Sequence, residues 1–210
     1  ADWDILGLLE EIPVSKDSNP IEDYAQFLLN ASNKGLGCDN ENLTNSYIKT
    51  AKKIKELGAK VIITGRNPEA VDKAAGEIGA VGLVADQASL GDTDALVEFA
   101  KEELGGVDVL FINAGIAAFA PVEHLTEEQF DATMNINFKG AFFTLQKFLP
   151  ILRDGASVIN LSSINAYTGM PNTAVYAASK AAILGFTKAL AKEVLPRPPI
   201  PSIAISQGAS

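Results

Sequence analysis

The residues of this sequence best suited to chemistry are a tyrosine and a lysine, Tyr176 and Lys180, in the segment YAASK. Residues four positions apart share one face of a helix, so the phenol and the ammonium would point the same way. A nearby ammonium favours the phenolate, and we therefore expect it to lower the pKa of Tyr176. Such a phenol could exchange a proton with an alcohol or carbonyl oxygen. The alternative is a surface tyrosine beside a solvated lysine, because a lone YxxxK segment often arises by chance.

Three further polar side chains are expected near this pair. Ser163 ends the segment LSS, thirteen residues before the tyrosine, and Asn113 begins the segment NAG after the preceding predicted strand. Asn137 lies in the helical stretch between them. Ligands of parallel sheets bind beyond the carboxyl ends of the strands, so we expect these groups to converge with Tyr176 at one rim. One cleft should be lined by the loops that follow residues 64, 85, 112 and 161.

The elements that must position these groups alternate between buried strands and helices. Short apolar runs predict strands at residues 60–64, 81–85, 107–112, 157–161 and 203–206. Helical spacing predicts helices over residues 68–78, 92–104, 126–152 and 173–194, and the end of a further helix at 51–57. This alternation implies right-handed crossovers and a single α/β domain, with a doubly wound parallel sheet that helices cover on both faces. A circularly permuted sheet and a sheet with an altered first strand are the alternatives.

Local signals mark the ends of several predicted helices. Gly58 and Gly79 follow helical runs at positions where a left-handed residue is favoured. Thr126 and Gln129 have the spacing of a capping box. The helix that they open is expected to be broken near residues 135–137.

The composition excludes several classes of protein. The 210 residues are 47% hydrophobic and 20% charged, which is typical of a globular domain. A net charge of −9 argues against binding to nucleic acids and to anionic membranes. No apolar run approaches the roughly 18 residues of a spanning helix, and the acidic N-terminus lacks a secretory signal. The only cysteine, Cys38, excludes an internal disulfide and favours the cytoplasm, and with one histidine a metal site is not expected.

Five segments, taken in their order and spacing, carry a family resemblance. TGR at 64–66, NAG at 113–115, NINFKG at 135–140, LSS at 161–163 and YAASK at 176–180 together resemble the short-chain dehydrogenase/reductase family. The match runs over about residues 51–208. It implies a Rossmann-like fold and a nicotinamide-dependent oxidoreductase that acts on a carbonyl or a secondary alcohol.

The resemblance implies a catalytic set of four residues. Tyr176 would be the general acid in carbonyl reduction, and Lys180 would lower its pKa and hold the nicotinamide ribose. Ser163 would hydrogen-bond the substrate oxygen and stabilise the charge that develops during hydride transfer. Asn137 would hold the water that connects Lys180 to solvent.

The resemblance also implies residues that bind the cofactor beside the tyrosine–lysine pair. Asn113 and Gly115 would line the cofactor cleft. Asp86 would face the adenine, although a carboxylate there could equally cap the end of its strand. Arg66 would suit a 2′-phosphate, which favours NADP over NAD; the alternative is an exposed arginine just before a helix.

The resemblance fails where the cofactor's phosphates should bind. The family's glycine-rich turn, TGxxxGxG, should fall near residues 39–46, but this chain reads DNENLTNS there. Glycines let the backbone approach a pyrophosphate closely, and Asp39 and Glu41 would repel it. Gly35 and Gly37 lie nearby, but their spacing does not restore the motif. This region argues against ordinary cofactor affinity.

Both ends of the chain depart from the family pattern. Residues 200–208 resemble the family's next strand and its Pro-Gly turn, with Gln207 in place of the proline. Residues 20–29 resemble a helix that the family carries near its C-terminus. We therefore divide the single Rossmann-like domain into an atypical part, residues 1–43, and a core, residues 44–210.

Three explanations are open for the atypical part. A circular permutation would place residues 20–29 beside the helix of Tyr176 and the last strand. An unrelated helical extension could match the pattern by chance. Part of the sequence could also be unreliable or engineered.

Two functions from different classes are compatible with the sequence. The first is an oxidoreductase that reduces a ketone or 3-oxo thioester, or oxidises the corresponding secondary alcohol. The second is a non-catalytic scaffold or oligomerisation protein that keeps the fold but not the cofactor, as the missing glycine turn suggests. The resemblance also implies a homo-oligomer, a dimer or tetramer built on the paired helices. Core or oligomer-interface positions are predicted for Phe138, Phe142, Phe143 and Phe148.

Overall fold

The computed structural model describes residues 7–10, 48, 51–194 and 202–207. The stretch DNENLTNS and residues 20–29 lie outside these described residues, as does the comparison that would test a permutation.

The described residues form one sheet of six strands. In chain order these are β1 (Gly7–Glu10), β2 (Lys60–Gly65), β3 (Val81–Val84), β4 (Val107–Ile112), β5 (Leu152–Ser163) and β6 (Ser202–Gln207). Their spatial order is β3-β2-β1-β4-β5-β6, the arrangement of a doubly wound Rossmann-like sheet. The predicted fold class is therefore confirmed, with one exception in the direction of β1.

The central strand β1 runs antiparallel to both of its neighbours, so the doubly wound sheet is parallel except at this altered first strand. Leu8 lies opposite Ile62 of β2 on one side and Leu110 of β4 on the other. The remaining pairs β2–β3, β4–β5 and β5–β6 are parallel. A strand can satisfy its backbone groups in either direction, so the chain path decides the direction.

Helices connect the strands. They are α1 (residues 51–56), α2 (Pro68–Ile78), α3 (Leu90–Leu104), α4 (Glu127–Met134), α5 (Ala141–Phe148), α6 (Asn165–Thr168) and α7 (Ala174–Val194). A π-helical segment, Asn135–Gly140, joins α4 to α5 at the place where a break was expected. Short 3-10 turns lie at Val122–His124 and Leu149–Ile151. The predicted helix over 126–152 is thus three consecutive pieces that end at Phe148.

The helix ends have the expected local causes. The Thr126 side chain accepts from the Gln129 backbone N–H, and the Gln129 side chain accepts from the Thr126 N–H, which completes the predicted capping box. Gly79 ends α2 with φ of 68°. That left-handed conformation strains residues with a Cβ, so a glycine is favoured there.

Two apolar clusters lie on opposite faces of the sheet. One packs α3, α5 and α7 against the strands and contains the fully buried Leu110, Phe148 and Val158. The other packs α1 and α2 and contains Val61 and Ile63. The alternating side chains of β2 supply both clusters, which confirms that helices cover both faces. Among the described residues, no helix is both long and apolar enough to cross a membrane.

We predict that Gly82→Ala destabilises the fold, because β3 touches α2 closely at this glycine. A Cβ at Gly82 would lie 2.7 Å from Val71 Cγ1 and 3.2 Å from Ala75 Cβ. Overpacking of this kind costs about 1–3 kcal/mol. Urea denaturation measures the free energy of unfolding. Gly76→Ala is the control: no atom lies within 4 Å of a Cβ there, and a helical alanine should stabilise by about 0.5–1 kcal/mol.

Candidate active site

The tyrosine and the lysine lie in the first two turns of α7, beside the end of β5. Lys180 Nζ donates to the Leu161 carbonyl oxygen at 2.9 Å. The same nitrogen lies 5.9 Å from the centroid of the Tyr176 ring. The helical spacing therefore brings phenol and ammonium to one side of the helix, as the sequence predicted.

Ser163, the last residue of β5, contacts the tyrosine directly. Its hydroxyl lies close enough to the Tyr176 hydroxyl to favour the phenolate and act downward on the pKa of Tyr176. Its Oγ also accepts from the Asn165 backbone N–H at 3.2 Å. The hydroxyl is buried and held at the start of the loop that leads to α6.

Asn137 lies in the π-helical segment and is 1% exposed. Its Oδ1 accepts from the Ile116 N–H at 2.8 Å, and its Nδ2 donates to the Ile116 carbonyl at 2.8 Å. The Nδ2 also donates to Ser179 Oγ at 3.0 Å. Asn137 thus fastens the loop after β4 to helix α7.

Gly115 lies close to both Lys180 and Asn137. A Cβ there would lie 3.1 Å from Lys180 Nζ and 3.4 Å from Asn137 Oδ1, so a larger residue would make a tight contact and the lysine would have to shift slightly. The four residues Asn137, Ser163, Tyr176 and Lys180 therefore converge at the carboxyl edge of β4 and β5.

The pKa of Tyr176 differs from the expectation. Burial raises the pKa of the phenol, and the Ser163 hydroxyl acts in the opposite direction without cancelling it. The expected net lowering is therefore wrong, because burial outweighs the groups that favour the phenolate. The ammonium is directed at the Leu161 carbonyl, and burial disfavours the phenolate. Tyr176 is therefore a protonated phenol at neutral pH.

The lysine is buried as well. Burial lowers the pKa of Lys180 to about 8, because the ammonium has left water and is only 3% exposed. Its hydrogen bond to Leu161 compensates part of that loss.

The residues expected to line the cofactor cleft fit a polar ligand at the end of β4. Asn113 is buried, and its Oδ1 has no hydrogen-bond partner among the described residues. A buried acceptor of this kind is normally satisfied, so a ligand that donates to it would fit. Gly115 lets such a ligand approach the lysine. These features fit the nicotinamide nucleoside half of a dinucleotide.

The two residues assigned to the adenosine half lie on the other side of β1 from Asn113. Arg66 directly follows β2 and is half-buried, and Asp86 follows β3. Asp86 Oδ1 accepts from the Ala88 N–H at 2.8 Å, so this carboxylate caps the end of its strand, as the alternative interpretation predicted. Asp86 also lines a cleft with, among others, Thr64, Gln87 and Ala114. Because β1 separates β2 from β4, a ligand that reaches both groups must span the edge of the sheet.

Sequence reasoning missed three polar contacts of the site. Ser179, fully buried, accepts from Asn137 and donates to the Tyr176 carbonyl at 2.7 Å. Ser162 donates to the Lys180 carbonyl at 2.8 Å and ties α7 to β5. Gln87 Nε2 donates to the Ile136 carbonyl at 2.9 Å. A small polar residue one turn after the tyrosine was the available signal for Ser179; the sequence offers none for Gln87.

Comparison with known proteins finds relatives of one kind. The model of the family described as short chain dehydrogenase matches residues 48–209. Oxidoreductase asL5 of Sarocladium schorii is 37% identical over 145 residues, which cover 67% of this chain and 58% of that protein. The hydroxynaphthalene reductase-like protein Arp2 of Metarhizium acridum is 34% identical over 151 residues, covering 67% of this chain and 55% of that protein. The chain thus spans less than two thirds of the length of both curated relatives.

A solved structure agrees with this result. The short-chain dehydrogenase/reductase from Brucella melitensis, described as glucose/ribitol dehydrogenase, superposes with a TM-score of 0.70 at 30% sequence identity. The superposition covers 73% of this chain and 67% of that one.

We predict that Lys180→Met changes how stability depends on pH. The lysine pKa is about 8 in the folded protein and close to its ordinary 10.5 after unfolding. Between these values the unfolded chain binds more protons, so the wild type gains stability as pH rises. Relative to the variant, it should gain about 2 kcal/mol between pH 7 and pH 10. Urea denaturation at both pH values measures this gain.

Lys188→Met is the matched control, because Lys188 is exposed on the same helix. Its free energy of unfolding should stay parallel to that of the wild type. A Lys180→Met curve that is also parallel would contradict a lysine buried as an ammonium.

Proposed function

Because the chain belongs to the short-chain dehydrogenase family, we propose that it is an oxidoreductase that transfers a hydride between a nicotinamide cofactor and a carbonyl or secondary alcohol. The observation that carries the proposal is the meeting of Tyr176 with Ser163 and Lys180 at one edge of the sheet. A scaffold would have no need to bury an ammonium beside a phenol.

The proton chemistry of reduction follows from the burial of the phenol. The nicotinamide, when bound, supplies the hydride. Tyr176 keeps its proton at neutral pH and is therefore ready to donate it to the carbonyl oxygen of the substrate. The Ser163 hydroxyl, which already contacts the phenol, would hydrogen-bond the same oxygen and stabilise its developing charge.

Lys180 acts after the proton has left. The phenolate then carries a negative charge, with the ammonium 5.9 Å from the ring centroid, and their attraction stabilises it. The lysine therefore favours the product of proton transfer more than the resting phenol. Both N–H groups of Asn137 already donate hydrogen bonds. A water that links Lys180 to solvent would therefore receive no hydrogen bond from Asn137 and would instead donate to Asn137 Oδ1.

Residues along the edge of the sheet would hold the cofactor. Tyr176 and Lys180 would bind the nicotinamide ribose, and the free acceptor of Asn113 would receive a donor from the same half. Asp86 would lie at the adenine. Arg66, at the end of β2, would pair with a 2′-phosphate, and NADP is the proposed cofactor.

We propose that the substrate is a neutral ketone with an apolar body. Residues 111–122 and 155–179, which flank the Ser163–Tyr176 pair, contain no charged side chain. Phe119 is 70% exposed and Met170 is 49% exposed on these stretches. The Ala120 N–H donates to the Asn172 carbonyl at 3.1 Å and joins the two loops. The relative described as hydroxynaphthalene reductase-like supports an aromatic substrate over a charged thioester.

A non-catalytic scaffold is the second candidate, and the first 50 residues favour it. The stretch DNENLTNS lacks the glycines of a phosphate-binding turn. Strand β1 runs from the active-site edge, where Gly7 pairs with Phe111, to the opposite edge, where Glu10 pairs with Lys60. Glu10, the last residue of β1, therefore lies on the side away from the proposed cofactor edge.

Self-association stays a prediction. Phe142 of α5 contacts the rings of Phe138 on the π-helical segment, Phe143 on α5 and Phe186 on α7, and is 36% exposed. A second copy of the chain could cover this aromatic cluster, whereas Phe148 is fully buried in the core.

We expect Tyr176→Phe to lower the turnover of NADPH and an aromatic ketone about a hundredfold or more, because the variant has no proton to donate. NADPH oxidation at 340 nm measures the rate, and fluorescence titration measures cofactor affinity, which should change little. Tyr167→Phe is the control, since Tyr167 is exposed on α6. Turnover at the wild-type rate in Tyr176→Phe would contradict the mechanism. No binding of NADPH or NADH by the wild type at millimolar concentration would favour the scaffold.

Arg66→Ala should weaken NADPH binding about tenfold and leave NADH binding almost unchanged, because only NADPH carries the phosphate that the guanidinium would meet. Fluorescence titration of both cofactors measures the ratio of dissociation constants. Lys52→Ala removes an exposed cation from α1 and controls for net charge. Equal weakening of both cofactors would exclude Arg66 as the residue that selects NADP.

A further inference from the structure

Gln87 is a buried polar residue outside the catalytic set, on the loop between β3 and α3. Its Nε2 donates to the Ile136 carbonyl at 2.9 Å, across 49 positions of sequence. Buried amide side chains are normally hydrogen-bonded. The hydrogen bond of Gln87 joins its loop to the π-helical segment. The segment carries Asn137 as its third residue.

The loop also presses against the end of that segment. A Cβ at Gly140 would lie 2.5 Å from the Gln87 carbonyl oxygen and 2.8 Å from Gln87 Cγ. A glycine is therefore required for the two backbones to approach. Gln87 holds the π-helical segment at two points, one on each side of Asn137.

The contacts continue from Asn137 to the reacting groups. Asn137 donates to Ser179 at 3.0 Å, and Ser179 donates to the Tyr176 carbonyl at 2.7 Å. A Cβ built at Gly115 would lie 3.4 Å from Asn137 Oδ1 and next to Lys180 Nζ, so these two side-chain atoms are neighbours. A shift of the π-helical segment would therefore move the phenol, the ammonium or both.

We propose that Gln87 is a positioning residue for catalysis, which fixes Asn137 and, through it, the Tyr176–Lys180 pair. The proposal rests on the proposed function. Asp86, the residue proposed to lie at the adenine, directly precedes Gln87, so the same loop would couple that end of the cofactor site to the proton donor. A purely structural Gln87 would affect stability alone.

Two variants of the full chain test the role. Gln87→Leu cannot donate to the Ile136 carbonyl and should lower kcat about tenfold, the fold-change expected for one lost buried hydrogen bond, with KM for the ketone almost unchanged. Gln87→Glu repels the carbonyl as a carboxylate but donates to it as a carboxylic acid. Its kcat, taken relative to the wild type, should therefore rise several-fold as pH falls from 8 to 5.5.

Thr126→Ala is the matched control for stability. It removes the exposed cap of α4, the helix that leads into the π-helical segment, and leaves the Gln87 contacts in place. It should lower the melting temperature without a pH-dependent change in relative kcat. A wild-type kcat in Gln87→Leu, or a relative kcat of Gln87→Glu that is flat with pH, would overturn the proposal.

A readout without turnover separates this proposal from the proposed function. The Ile116 N–H donates to Asn137 Oδ1, so its hydrogen exchange reports the position of Asn137. Exchange should be at least about tenfold faster in Gln87→Leu than in the wild type. If the wild type is inactive and this amide still responds, only the proposed function fails. Unchanged exchange would contradict the positioning role whatever the activity.

Discussion

The burial of the Lys180 ammonium is the constraint on which the rest of the site depends. An ammonium that leaves water loses several kcal/mol of hydration unless other groups replace it. Here the Leu161 carbonyl accepts its hydrogen bond, and a glycine at position 115 leaves room for it. The packing of α7 on β5 must supply the remaining free energy. The apolar cluster of Leu110, Val158 and their neighbours would therefore be a condition of the proposed chemistry as well as of the fold.

The same burial sets the protonation of both members of the pair. It raises the pKa of Tyr176 and lowers that of Lys180, so each neutral form is favoured. The resting site therefore holds a phenol that keeps its proton and a lysine whose charge is close to being lost at mildly basic pH. Charge attraction between them becomes large only when a phenolate forms. Groups that are fixed before the reaction and interact most strongly after proton transfer lower the barrier rather than only the ground state.

Elements with strong local signals could be predicted from the sequence. Strand β4 was predicted at residues 107–112 and lies there, and the capping box at Thr126 forms as its spacing indicated. The direction of β1, the extra length of β5 and helix α6 could not be predicted, because they depend on neighbours far away in the chain. Helical spacing and strand order predicted that the four site residues meet. The pKa of Tyr176 was predicted in the wrong direction, because a spacing of four shows proximity but not burial.

The described contacts divide the edge of the sheet into two halves. Every side-chain hydrogen bond described for Asn137, Ser163, Tyr176 and Lys180 joins residues between 113 and 180, all carried by β4, β5, α7 and the segments that connect them. None of these contacts requires the direction of β1, since a central strand pairs with its neighbours either way. The half of the site that holds Tyr176 and Lys180 can therefore assemble even though the first 50 residues depart from the family pattern. In the function that we propose, binding of the phosphates and proton transfer would be separate structural problems, and the hydrogen bond of Gln87 to the Ile136 carbonyl links the loop of Asp86 to the second of them.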